Sequence, residues 1–585
     1  MSVENHTTAE QTASAPSPAT NPSWRFGDLS AVALMPHLQR HLLAQNCAAN
    51  WQLVWLNNDG HPVIGLLPKI SWSVYPAADQ LSDAHSKPVA LYQVTKHCRD
   101  ACVIDSNAES QSVTTTYISY AAWQDELITY SQGYEHNDCG SKLVDRKQSK
   151  PSYHHGLIGF IGYDIAAHEL SPTANIERAT QPCAVLGHYD IYLAPARQGE
   201  VSVWTLTVHQ PSDDYEISND DKENKALITT LICYLNALDK KLSDKALNQA
   251  QFKALPNPAP LTLTARWHQH DYQKAFNQTQ DYLQQGDCYQ INLTQVWQTR
   301  LLYKSVSDQP TSTLIDYLPS LHRNTQAPFA GYLSTQYCHE TYINKNHAGQ
   351  SANAMEQKNT FELLSCSPEL FFTFIKDNKT GKHHIRTKPI KGTMPRGVTL
   401  EQDNHYKQQL SESEKDRAEN VMIVDLLRND LGKYAKIGSV KVPQLFAIES
   451  FSNVHHMVST ISAELKTDTH PLTVLFGSLP AGSITGTPKK RSVEIISELE
   501  VAARGAYCGT MGYMNFDGSG QWNVLIRTLQ ANLSSGLSSN NGIQQEGHVS
   551  LWAGGGITVA SDCSAEYQEC LDKVGNLLSV LAQKP

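Results

Sequence analysis

Apolar and polar positions alternate in short runs over the first part of the chain. From Trp24 to about Ala196, runs such as Trp51 to Leu56, Pro62 to Leu67 and Leu91 to Val94 are separated by Gly, Asp, Asn and Pro. That rhythm predicts a strand-rich half with occasional helices. His155 to Asp164 sets glycines among apolar side chains, which suits a buried strand closely approached by another backbone better than a phosphate loop. Between Gln210 and Pro260 the pattern turns polar and helical and ends in Pro256, Pro258 and Pro260. This stretch reads as a solvated helical excursion and linker.

Helical spacing returns from His270 to Gln285 and stops at Gly286-Asp287, ahead of a strand at Cys288 to Leu293. Ala327 to Ser334 is a further strand, and His339 to Asn359, polar and without period, is expected to be a surface insertion. Glu369 to Gly397 holds two extended runs on either side of Asp377-Asn378-Lys379-Thr380-Gly381, which predicts a β-hairpin. Asp416 to Gly432 is made of good helix formers and ends at a glycine, and Ser452 to Ser459 reads as a strand. The loop Leu479 to Lys490 leads into a helix near Arg491, and strands follow at Tyr507 to Phe516 and Trp522 to Ala531. Trp552 to Ile557 is expected to be a glycine-rich turn. After it, Ser561 to Ser564 supplies the cap of a terminal helix whose stripe is Tyr567, Leu571, Val574, Leu578 and Leu581.

Composition narrows the classes. At 585 residues the chain has the length of roughly four average domains, though one large catalytic fold also fits. A net charge of -10 without a dense Lys/Arg block disfavours nucleic acid as a partner, so an anionic ligand must be met by local cations. Met1 to Asn21 is rich in Ser, Thr, Ala, Pro and Asn, which predicts a disordered tail and no signal peptide. No apolar segment approaches the ~20 residues that span a bilayer, so a soluble, cytoplasmic protein without membrane contact is expected. The 12 cysteines are scattered and predict reduced thiols. Neither they nor the doublets His154-His155, His383-His384 and His455-His456 have zinc-site spacing.

Several residues can carry chemistry. The hairpin sets Glu369 roughly opposite Lys391, as a plain cross-strand ion pair or as a general acid/base beside a nucleophilic amine. Glu419 near the start of its helix suits the positive end of the dipole. Arg527 sits among aliphatic residues, keeps its proton, and needs a carboxylate from the protein or from a ligand. On the terminal helix Glu566, Glu569 and Lys573 share an arc of ~60° at ~100° per residue. Two such carboxylates suit a divalent cation or a solvated Glu/Lys face.

The order of the motifs is more specific than any one of them. Gly286-Asp287-Cys288-Tyr289-Gln290, Ser367-Pro368-Glu369, Pro389-Ile390-Lys391-Gly392-Thr393, Glu419 to Leu431, His456 to Ser459, Ala481 to Gly486, Arg504 to Tyr507, Ile526-Arg527-Thr528, Gly554 to Ile557 and Ala565 to Glu569 follow one another. Throughout residues 270 to 580 this series resembles the chorismate-utilising enzyme family, and Lys391 points to its aminodeoxychorismate-forming branch. The related anthranilate synthases carry alanine there. Before residue 260 the resemblance is confined to the strand pattern and to Gly159-Phe160-Ile161-Gly162-Tyr163-Asp164. Thr487 and Cys570 depart from the usual spelling, and neither is a charge the scheme needs.

The resemblance implies an α+β fold of two stacked, mainly antiparallel β-sheets with outer helices. Its parts would be a tail (1–21), an amino-terminal strand-rich half (22–209), a polar helical linker (210–260) and a chorismate-binding catalytic half (261–585). It also implies that Glu419, Glu566 and Glu569 hold Mg²⁺. Arg527, Tyr507, Lys573 and the backbone of Gly554, Gly555 and Gly556 would receive the substrate's enolpyruvyl carboxylate, with His456 and Ser483 close to the ring. Lys391 would be the covalent nucleophile, its pKa lowered by a metal, Arg396 or Lys388, and Glu369 the acid. The expected product, 4-amino-4-deoxychorismate, leads to p-aminobenzoate and folate, with ammonia from a separate glutaminase subunit. The competing expectations are an anthranilate or isochorismate/salicylate synthase and a silent chorismate-binding scaffold.

Overall fold

A computed structural model of the protein describes residues 21–43, 52–77, 90–99, 113–135, 151–198, 201–209, 219–244, 258–304, 313–339, 357–451, 454–534, 538–539 and 542–583. Two antiparallel sheets dominate these residues, one of 13 strands and one of 12. Residues before and after 260 are interleaved in both. Leu53–Leu56 pairs with Gly331–His339 in the larger sheet, and Gly156–Ile161 pairs with Thr510–Asn515 in the smaller.

The sheets pack face to face. Val54, Leu56, Leu333, Phe361 and Leu363 of the larger sheet bury against Ile158, Phe160, Val185, Met511 and Tyr513 of the smaller. Removing a Leu, Val or Phe side chain from water in this way contributes about 1.5–3 kcal/mol each. Helices cover the outer faces. Leu34, Leu38, Leu318, Val574 and Leu577 cover the larger sheet, and Trp123, Leu127, Ile423, Leu427 and Leu475 cover the smaller. The result is the α+β architecture of stacked sheets and outer helices that the sequence led us to expect.

Gly156–Ile161 is buried along its whole length, and its glycines are demanded by close approach. A Cβ on Gly156 would collide with the Met514 carbonyl and one on Gly159 with that of Val185. The helix Asn219–Ser243 is more than a solvated excursion. Its stripe Leu227, Leu231, Leu235, Leu238 and Leu242 is buried, the last four within the outer core of the larger sheet.

Three local expectations are corrected. The hairpin Leu370–Lys376/His383–Lys388 turns at Asp377 to Gly381 as expected, with Gly381 at φ 68°. It ends at Lys388, however, and Ile390–Pro395 is a separate strand paired with Val454–Glu464. Trp522 to Ala531 is two strands, Gly520–Asn523 in the smaller sheet and Thr528–Ser534 in the larger, so the chain crosses between sheets at 524–527. The glycines at 554–556 lie within the strand Gly542–Ile557, not in a turn. Residues 1–20 of the expected tail and 340–356 of the expected insertion lie outside the described residues.

Candidate active site

Glu369 is fixed by the serine two residues before it. Ser367 Oγ donates to the Val524 carbonyl at 2.6 Å and accepts from the Glu369 N–H at 3.2 Å. Pro389, lacking an N–H, ends the hairpin ladder, and Ile390–Pro395 swings across to pair with Val454–Glu464, Thr393 opposite His456. Gly392, at φ 82°, lets the next two helices approach, since a Cβ there would stand 2.8 Å from Cδ1 of Leu410 in Leu400–Glu412 and 2.9 Å from Cγ of Asp416 in the helix after it. That helix, Glu414–Gly432, is capped by Ser413, whose side chain accepts from the Asp416 N–H, and it carries Glu419 to Lys391. The terminal helix Cys563–Ala582 is capped by Asp562 and presents Glu566, Glu569 and Lys573 to the same space.

These elements enclose a cavity of about 520 Å³. Lys391 Nζ lies 2.6 Å from Glu419 Oε2. Lys415 Nζ lies 3.1 Å from Glu566 Oε1 and 4.0 Å from Glu419 Oε1. Lys573 Nζ lies 2.6 Å from Glu569 Oε1 and donates to the Gly554 carbonyl at 2.8 Å. Burial works against the charge on Lys391, but Glu419, then Glu569 and Glu566, outweigh it and hold the amine above its ordinary pKa. This overturns the expected lowering by Arg396 or Lys388. Arg396 is engaged with Asp403 at 2.7 Å and Lys388 with Glu449 at 2.5 Å.

The facing wall is less charged. Arg527 sits at the crossover between sheets with φ 52°, a left-handed conformation that only surrounding structure sustains in a non-glycine residue. Among the described residues its guanidinium makes no salt bridge and no side-chain hydrogen bond. Burial holds its pKa below the ordinary value, against the pull of Cys366 and Glu369. Tyr507 is buried and its ring stacks on Trp552, centroids 5.9 Å apart. Burial and then Arg527 push His456 down to about 4, so its imidazole is neutral, and its Nδ1 lies 2.8 Å from Thr393 Oγ1. Burial pushes Glu369 up to about 7, opposed by Ser483, Lys391, the Ile390 N–H and Lys573. Ser483 Oγ donates to Glu369 Oε1 at 3.4 Å.

Lys391, Glu369, His456, Ser483, Arg527, Tyr507, Gly554, Gly556, Lys573, Glu419, Glu566 and Glu569 all line this one cavity. Gly555 faces the carboxylates behind it, and a Cβ there would stand 3.1 Å from Glu566 Oε2. Sequence reasoning missed Lys415, Thr393, Asn292 and Trp552, which also line it. A signal existed for Lys415, which precedes Glu419 by one helical turn.

The carboxylates fit a hard divalent cation in chemistry. They offer oxygen donors only, and Glu419 Oε1 is buried without a hydrogen-bond partner. Among the described residues no three His, Cys, Asp or Glu stand as a ready ligand cluster. Lys415 lies between Glu566 and Glu419 instead.

Residues 99–579 match the family described as chorismate binding enzyme. Aminodeoxychorismate synthase component 1 of Salmonella typhimurium is 35% identical over 431 residues, 73% of this chain and 76% of that one. The protein of the same name from Escherichia coli is 34% identical over 452 residues, 75% and 81% of the two chains. Among solved structures, anthranilate synthase component I from Streptococcus pneumoniae superposes with a TM-score of 0.55 at 20% identity, over 87% of this chain and 92% of that one. At that identity the likeness is one of fold. By the residues matched and by these relatives, the chain belongs to the chorismate-binding enzyme family, among the relatives of aminodeoxychorismate synthase component 1.

Proposed function

We propose that the chain is the chorismate-aminating component of an aminodeoxychorismate synthase. The observation that supports this most is the amine of Lys391, presented by a strand to the same cavity as a protonatable Glu369 and as Arg527, which makes no salt bridge among the described residues. A doubly anionic ring acid needs fixed cationic partners to be bound in an acidic protein. Arg527 and Tyr507, with Lys573 and the Gly554–Gly556 backbone, would take the enolpyruvyl carboxylate. Glu419, Glu566 and Glu569 would hold Mg²⁺, which when bound supplies positive charge for the ring carboxylate.

The chemistry then falls to two side chains. Lys391 passes its proton to the Glu419 carboxylate 2.6 Å away, and the free amine attacks ring C2. The double bonds shift, the C4–O bond breaks, and Glu369 donates the proton with which the hydroxyl leaves as water. Ammonia attacks C4, the double bonds shift back, the C2–N bond breaks and the lysine is released. Glu369 takes the ammonia-derived proton, and the product is 4-amino-4-deoxychorismate. Neutral His456 and Ser483 border the ring. Ammonia would come from a separate glutaminase subunit in the cytoplasm, and the product would feed p-aminobenzoate and folate synthesis. No helix among the described residues is long and apolar enough to cross a membrane.

Incubation of the pure chain with chorismate, Mg²⁺ and ammonium should release 4-amino-4-deoxychorismate. Release of anthranilate or isochorismate overturns the reading.

A further inference from the structure

Among the described residues, Lys415 is the one cation at this site that the proposed chemistry does not use. Its ammonium stands between carboxylates from two distant helices, 3.1 Å from Glu566 Oε1 and 4.0 Å from Glu419 Oε1. The two glutamates are buried, with side chains 2% and 7% exposed, whereas the lysine side chain is 53% exposed. The nearer part of Glu419, Oε1, is buried without a hydrogen bond. A carboxylate oxygen in that position is costly unless a cation serves it.

Local structure gives Lys415 no other reason to point inward. It occupies the first turn of the helix Glu414–Gly432, where the positive end of the dipole disfavours an ammonium. Capping there is done by Ser413 through the Asp416 N–H. Lysine is a point charge on a flexible four-carbon stem, so it can retract into solvent without moving the helix. The other two lysines are less free. Lys391 is largely buried, and Lys573 is held by both Glu569 and the Gly554 carbonyl.

We propose that Lys415 is the resident counter-cation of the three-carboxylate cluster, occupying the space between Glu419 and Glu566 until a divalent, oxygen-preferring cation displaces it. The inference rests on the reading of these glutamates as metal ligands. It assigns Lys415 two tasks: it keeps the cluster from repelling itself when no metal is bound, and it sets the affinity with which a metal enters.

The test is binding, independent of turnover. Mn²⁺ is titrated into the full-length chain at low ionic strength and the free ion is followed by electron paramagnetic resonance. Lys415→Met, which keeps the apolar stem, should bind Mn²⁺ about tenfold tighter than the wild type, because a competing charge within ~4 Å is gone. In EDTA the same variant should melt below the wild type, and saturating Mn²⁺ should close the gap. Lys415→Arg, which keeps the charge, should bind no tighter than the wild type. Lys415→Gln gives the same reading should methionine disturb the helix. Wild-type or weaker affinity in the neutral variants overturns the proposal while leaving the metal reading intact. A wild type that binds no Mn²⁺ overturns both, and the ammonium assay separately shows whether the amination reading survives.

Discussion

Lys391 Nζ and Glu419 Oε2, 2.6 Å apart, join the strand that follows the hairpin to the helix Glu414–Gly432. The pair explains why the amine is held charged, and it makes the lysine structural as well as chemical. Lys391→Ala removes the nucleophile and also leaves Glu419 buried near Glu566 and Glu569. Breaking a buried pair from one side costs about 3–5 kcal/mol. Urea unfolding should therefore show a loss approaching that size, largely recovered in Lys391→Met/Glu419→Gln. Turnover should drop by at least about a thousandfold in both variants. Intact-mass measurement of the wild type with chorismate and no ammonia should reveal an adduct on Lys391. Full turnover in Lys391→Ala would refute the covalent step.

Glu369 governs the pH response. With its carboxyl pushed up to about 7 by burial, turnover should be full on the acid side and fall as pH rises through about 7. Ser483→Ala removes a hydrogen bond that favours the carboxylate, so the falling limb should move to higher pH. The folded carboxyl lies above its unfolded value of about 4.3. Its stabilising contribution is thus complete below about 4.3 and lost as pH rises through about 7. Glu369→Gln should accordingly raise stability at about pH 8 by about 3–4 kcal/mol, while lowering turnover by about 10²–10⁴-fold. A flat rate profile across neutral pH in both wild type and Ser483→Ala would contradict this role.

Local signals were legible where one element decides them. The turn at Asp377 to Gly381 follows from residues within a few positions and stands as expected, whereas the stripe of the terminal helix does so in part: Val574 and Leu581 are buried, Tyr567, Leu571 and Leu578 pack half-buried at its edge, and Cys570 and Leu577 are buried beside them. What sequence concealed is set by distant pairing. Pro389 marks where the hairpin ladder stops, but nothing near Lys391 announces that its strand goes on to pair with Val454–Glu464, and its ionic partner is Glu419 and not Glu369. Trp522 to Ala531 reads as one strand because both halves are apolar. The switch between sheets at Arg527 is imposed by tertiary structure. Lys415 precedes Glu419 by one helical turn, but its nearer partner, Glu566, comes from the terminal helix.

Arg527 should show opposite effects on binding and stability. Its side chain is half-buried and, among the described residues, has no carboxylate of the protein to pair with, so the fold bears a desolvation cost that a ligand anion relieves. Arg527→Met should leave the melting temperature equal or raised. The KM for chorismate should rise by about 10–100-fold, the size of one or two lost charge-assisted hydrogen bonds. The backbone strain at φ 52° is common to both residues and does not distinguish them. A variant that melts lower with KM unchanged would show that Arg527 serves the fold and not the substrate.

Neighbouring glycines in Gly542–Ile557 should fail for different reasons. A Cβ on Gly554 would collide with the Leu293 carbonyl of the paired strand, and backbone cannot yield without breaking the ladder, so Gly554→Ala should be strongly destabilised or insoluble. A Cβ on Gly555 meets side chains only, 3.1 Å from Glu566 Oε2 and 3.7 Å from Glu569 Oε1. These carboxylates can give by a few tenths of an ångström. Gly555→Ala should therefore fold with a melting temperature close to wild type, yet bind Mn²⁺ more weakly by about tenfold, since ligand oxygens must sit within ~0.2 Å of their preferred distances. Gly556→Ala should combine the two: its Cβ would collide with the Gln290 side chain and approach Lys391 Nζ to 3.4 Å, so turnover should fall more than metal affinity. Calorimetry, Mn²⁺ titration and the ammonium assay on the three variants check the ordering. Equal destabilisation in all three would mean that the strand serves packing alone.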